Sequence, residues 1–117
     1  MKTYHMGDMK NGWFVGDFAP TAFRTSEAEV CFATHKAGEN PQAHFHKEAP
    51  EITAVISGLI VMYNYTTHNI HMFGPGDIFV VEPNEIVEPI ILRDTQVIVV
   101  KVPSLPKDKY YYDPDCT

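Results

Sequence analysis

The sequence predicts an all-β fold, an antiparallel sandwich or small barrel, on three observations. Runs of four to seven residues rich in Val, Ile, Phe, Tyr and Thr recur along the chain. Turn-forming clusters separate them at nearly regular spacing. Nine prolines and seven glycines in 117 residues leave little uninterrupted length for helices. The chain suits one domain, 1–117, with a core barrel over about 27–103, an N-terminal wrap over 1–26 and a tail over 104–117.

Taken in order, residues 1–26 hold only weak strand signals, Trp13–Val15 and Ala22–Arg24, and are expected to wrap the barrel or add an edge strand. Strands are then expected at Glu29–His35, Ile52–Ile56, Leu59–Tyr65, Ile70–Phe73, Ile78–Val81, Ile86–Leu92 and Val97–Val102. The breaks fall at Gly38-Glu39-Asn40-Pro41, Ser57-Gly58, Thr66 to Asn69, Gly74 to Asp77, Pro83-Asn84 and Arg93-Asp94, each read as a turn. Trp13, Phe14, Phe18 and Phe23 read as aromatics sealing a barrel end. Tyr110-Tyr111-Tyr112 reads as a tail that docks on the body or on a second subunit.

Composition narrows the functional classes. At 44% hydrophobic and 12% aromatic the chain can bury a core. Nine Lys and Arg against fifteen Asp and Glu give a formal charge of -6, which opposes nucleic acid or an anionic membrane as main partner. The apolar runs are strand-sized, and the first thirty residues lack a secretory h-region. Cys31 and Cys116 read as reduced thiols, Cys31 as a small core residue. A soluble cytoplasmic protein is expected.

The chemistry concentrates around two of six histidines. His44-Phe45-His46 sets two imidazoles at i and i+2, on one face of an extended segment. Glu51 follows after Lys47-Glu48-Ala49-Pro50, a stretch suited to reversing the chain and returning the carboxylate beside the imidazoles. Two neutral nitrogen donors and one carboxylate on one side of a metal leave positions open for water, substrate or dioxygen. Taken alone, such a His pair is more often incidental than a ligand pair. With Glu51 inward, Thr53, Val55 and Ser57 share its face and Ile52, Ala54 and Ile56 take the other.

The wider frame is Gly38, five residues, His44-x-His46, four residues, Glu51, six residues, Gly58. This pattern resembles the first motif of the cupin superfamily at every position. The resemblance implies a six- to eight-strand jelly-roll barrel and His44, His46 and Glu51 as ligands of a divalent metal ion (Fe, Mn, Ni, Co or Zn). Gly76 to Asn84 resembles the opening of the second motif. There the family places a fourth ligand, a histidine, but residues 72–117 contain none. The slot falls on Val87 without a gap, or on Glu88 with one extra residue. The two point to opposite faces of a strand unless a bulge intervenes. Val87 inward gives an open three-ligand site, and Glu88 inward gives two His and two Glu.

Glu82 and Glu85 read as solvated rim acids, His35 as a solvated strand end or a residue of the barrel mouth, and His68 and His71 as surface residues. Gly58 and Gly76 are expected in tight turns, and proton competition for the metal near pH 6.5, the ordinary His value. Three functions fit these residues. One is a metal-dependent enzyme, dioxygenase- or isomerase-like, on a small polar or anionic metabolite or sugar. The second is a non-catalytic small-molecule or carbohydrate-binding module, and the third a barrel whose histidines are purely structural. Exposed strand edges and the tyrosine tail point to a homodimer.

Overall fold

A computed structural model describes residues 1–115; Cys116, expected as a reduced thiol, lies outside them. Among the described residues nine strands form in order: β1 (Trp13–Gly16), β2 (Phe23–Arg24), β3 (Glu29–His35), β4 (His44–Phe45), β5 (Glu51–Asn64), β6 (Asn69–Phe73), β7 (Ile78–Val81), β8 (Val87–Lys101) and β9 (Tyr110–Tyr111). One short 3-10 turn, Met6–Asp8, precedes them. Among the described residues no helix is long and apolar enough to cross a membrane.

Two expected turns are instead bends inside long strands. Ser57-Gly58 lies within β5 and Arg93-Asp94 within β8, so four expected strands merge into two of 14 and 15 residues. The two bends pair with each other. Ser57 aligns with Gln96 and Leu59 with Arg93, and the register shifts at both points. Such irregularities turn a strand without ending it. Gly58 has φ +103° there, and a Cβ would meet the Thr95 side chain and lie 2.6 Å from the Asp94 carbonyl oxygen. Buried Thr95 ties the corner, accepting from Leu59 N–H at 3.1 Å and donating to the Arg93 carbonyl at 2.7 Å. Gly76, at φ +87°, does occupy the expected turn between β6 and β7.

Because both long strands bend, each contributes to two layers. The N-terminal half of β5 and C-terminal half of β8 join β7, β3, β1 and β2. Their other halves join β6, β4 and β9. Val55, Ile60, Ile91 and Val97 pack together at the corner. Phe73 of β6 stacks on Phe79 of β7 at 4.3 Å between centroids, closing the space between layers. The first 26 residues thus add strands to one layer, and Tyr110-Tyr111 docks as β9 against β4.

Period-2 alternation sorts the first layer into two kinds of row. The inward rows run Glu29–Lys101–Glu51–Val81 and Cys31–Val99–Thr53–Phe79 across β3, β8, β5 and β7. The outward rows run Val30–Val100–Ile52–Val80 and Phe32–Ile98–Ala54–Ile78. One inward row thus carries three charged residues into the interior beside an apolar one, while the outward rows are apolar throughout, against the usual polar outer face. The aromatics expected to seal one end divide: Trp13 meets Phe18 edge-on at 6.4 Å, while Phe23 is 66% exposed.

Candidate metal centre

β4 is only two residues long, bounded by Pro41 upstream and by the turn leading to Pro50 downstream. His46 lies just past its end, yet its ring remains beside that of His44, 5.5 Å between centroids. The chain then reverses through Lys47–Pro50, and β5 opens on Glu51. One nitrogen of each histidine and one Glu51 oxygen lie within 4.8 Å of one another. His46 Nε2 is 3.6 Å from Glu51 Oε2.

Asp108, unmarked in the sequence reading, fixes that reversal. Its carboxylate accepts from Lys47, Glu48 and Ala49 N–H at 2.8, 3.0 and 2.9 Å. Burial opposes its charge, but the three donors outweigh burial and hold the carboxyl below its ordinary range. A single Asp sixty residues from its partners carries no local pattern, so sequence spacing alone did not reveal it.

Burial governs the triad. It pulls the His44 imidazole below its usual pKa, although the hydrogen bond to the Gln42 carbonyl opposes it. For His46 burial, aided by the Lys101 and His44 charges, lowers the value to about 4. Burial also raises the Glu51 carboxyl, with Lys101 pulling it back. The His46–Glu51 contact is thus a meeting of desolvated groups that both favour neutrality. Proton competition at His46 accordingly falls well below the expected pH 6.5.

These features fit a divalent ion. Both imidazoles are neutral, the form that binds metal. His44 Nδ1 is engaged with the Gln42 carbonyl at 3.1 Å, leaving Nε2 free. His46 turns Nε2 toward Glu51, 3.6 Å from Oε2, so coordination there would leave Nδ1 a buried N–H without a hydrogen-bond partner.

The two candidates for a fourth position separate by strand parity. Val87 aligns with His44, is 4% exposed and faces the cavity. Glu88 faces outward, accepting from Tyr65 Oη at 2.8 Å and Asn40 Nδ2 at 3.2 Å. Val87, and not Glu88, therefore lies beside the His44, His46 and Glu51 group. Glu85 is not simply a solvated acid: it accepts from Asn64 Nδ2 at 2.7 Å and Glu82 N–H at 2.9 Å, shaping the turn before β8. His35 lies at the mouth, 3.1 Å from Glu39. His68 and His71 are exposed.

The triad opens on two adjoining cavities that share Asn11, Trp13, Glu51 and Lys109. The first, about 330 Å³, is bordered by His44, Thr53 and apolar side chains including Val87 and Ile91. The second, about 360 Å³, is bordered by His46, Glu29 and Lys101. Lys101 also escaped the sequence reading, because Val97–Val102 looks like an ordinary core strand until its register is known.

No family model matches the chain, and no curated protein matches it significantly. Solved structures do. The DMSP lyase DddQ from Ruegeria pomeroyi superposes with a TM-score of 0.76 at 17% identity over 90% of this chain and 52% of that one, so this chain spans about half of DddQ. KdgF from Halomonas sp. gives 0.63 at 21% identity, covering 69% and 74%. A cupin-2 domain protein from Shewanella frigidimarina gives 0.59 at 10%, covering 67% and 72%. The bent long strands, the inward-facing triad and these superpositions together identify the chain as having the double-stranded β-helix fold of the cupins.

Proposed function

We propose that His44, His46 and Glu51 hold a divalent metal ion and that the protein is a metal-dependent enzyme acting on a small polar or anionic metabolite. The observation that carries this reading is the convergence of three donors within 4.8 Å at the junction of two cavities. When bound, the ion would polarise a substrate oxygen as a Lewis acid. The chain's own residues supply the rest. Asp108 holds the turn that sets His46 against Glu51, and the Gln42 carbonyl orients His44. Val87 leaves the side next to His44 without a fourth protein donor, and the apolar wall around Val87 and Ile91 limits water. Two neighbours in fold are named as enzymes: DddQ as a lyase and Pac13 as a nucleoside dehydratase.

The non-catalytic binding module is the second reading, favoured by the missing fourth ligand at Val87. Elemental analysis of untagged protein tests the metal, with about one ion per chain expected. Turnover of keto acids and sugars by the loaded protein then separates enzyme from binding module. The outward apolar rows of the first layer supply a surface for a homodimer, two copies packing sheet against sheet.

A further inference from the structure

The second cavity carries charges that the triad does not use. Lys101 lies between Glu29 and Glu51 in one inward row, and its Nζ is 3.5 Å from Glu29 Oε2 and 5.4 Å from the Trp13 ring centre. Glu29 is itself held, because Ser104 Oγ donates to its Oε1 at 3.2 Å while accepting from Asp17 N–H at 2.8 Å. Lys101 and Glu29 are 5% and 3% exposed. A buried ion pair of this kind contributes little to stability over apolar residues of the same volume, so packing alone does not account for it.

Lys10 and Lys109 border the same cavity. A chain of charge -6 thus gathers three of its nine basic residues around one hollow, against two carboxylates, Glu29 and Glu51. Glu29 offsets one of the three ammonium groups and burial shifts Glu51 toward its neutral form, so the lobe has a surplus of positive charge before any ion binds, in a setting that concentrates its field. Trp13, Phe18, Pro20 and Pro106 form the apolar part of its wall.

We propose that this lobe is an anion subsite, in which Lys101, anchored by Glu29, seats the carboxylate of the substrate while the triad faces a neighbouring oxygen. The subsite rests on the metal-centre reading above and narrows its substrate class. The Glu29 carboxylate, 3.5 Å from Lys101 Nζ, makes a monoanion a better fit than phosphate, which would bring more negative charge against it. Glu51 borders both cavities, and its strand partner is Lys101, about 5 Å away between backbones. The substrate class that fits two side-by-side cavities is a small carboxylate that also carries a hydroxyl or carbonyl.

Trp13 is the one tryptophan in the sequence and borders both cavities, so its fluorescence reports occupancy. Lactate, its uncharged ester methyl lactate, and inorganic phosphate are titrated into metal-free and nickel-loaded protein. Lactate should shift the emission saturably, and methyl lactate and phosphate should bind at least tenfold more weakly. Lys101→Met risks stranding the Glu29 carboxylate, so the Glu29→Gln/Lys101→Met double variant is the main comparison. It should lose at least tenfold in lactate affinity while nickel affinity stays within about threefold. Should it not fold, Lys10→Met/Lys109→Met, at exposed positions, should still weaken lactate severalfold.

Equal lactate affinity in wild type and the folded variants would overturn the subsite, as would equal binding of the ester or tighter binding of phosphate. Failure of the triad reads differently: nickel would not bind the wild type, while Lys101-dependent lactate binding to the metal-free protein would stand.

Discussion

His46 concentrates the residue-scale chemistry, being buried, neutral and without a partner at Nδ1. An ion bound only to the folded protein raises its melting temperature. Nickel or manganese should therefore raise the Tm of the wild type at pH 7.5, and His46→Ala should remove most of that gain. Glu88→Ala should leave the gain intact, since Glu88 faces Tyr65 and Asn40 outside the barrel. Thermal melts with and without metal check both. The pH dependence follows from the folded His46 value of about 4 against about 6.5 unfolded. Between those values the unfolded chain takes up a proton that the folded site refuses. Metal-free stability is thus intact above about pH 6.5 and falls as pH drops toward 4, by up to about 3 kcal/mol from this residue. The raised Glu51 works oppositely, its contribution being full below the unfolded carboxyl value and lost as pH rises through the folded one. Melts of metal-free protein from pH 7.5 to 4.5 should show a shallower acid loss in His46→Ala. The metal-induced Tm gain should persist at pH 6.

Elements enter where single residues hold a corner or a turn. Gly58→Ala forces a Cβ against Thr95 and the Asp94 carbonyl at a positive φ. Strain and overpacking there should cost about 3–5 kcal/mol, measured by urea unfolding. Asp108→Ala strips three backbone donors of their acceptor. A loss of about 3 kcal/mol is expected, along with weakened metal binding because the turn carries His46 toward Glu51. Asp108→Asn should restore part of both, because an amide oxygen can still accept.

For the whole molecule, the apolar outer face of the first layer is the distinguishing property. Its outward rows are apolar across four strands, with Ile78 68% and Val80 47% exposed, a surface a monomer would rarely present. Light scattering after size exclusion should give twice the 13.2 kDa chain mass. Ile98→Glu, in the middle of this face, should yield monomers whose nickel affinity is unchanged. A wild-type monomer at tens of micromolar would count against the dimer.

Local chemistry made much of this legible. Strand-length β-branched runs announced an all-β barrel, and Gly38 through Gly58 marked the turn-bound frame in which His44, His46 and Glu51 come together. Residue identity and period-2 alternation are properties of neighbours in the chain, so the sequence by itself determined which groups share a face. What depends on partners far along the chain was decided only by tertiary structure. Ser57-Gly58 and Arg93-Asp94 became bends because each pairs with the other across the corner. Asp108 found the 47–49 turn some sixty residues away. Val87 and not Glu88 turned inward once β8 was aligned against β4 and β5, and the same alignment put Lys101 between two carboxylates. The register between distant strands is set by the packing of the whole barrel, a cooperative quantity that no window of residues contains.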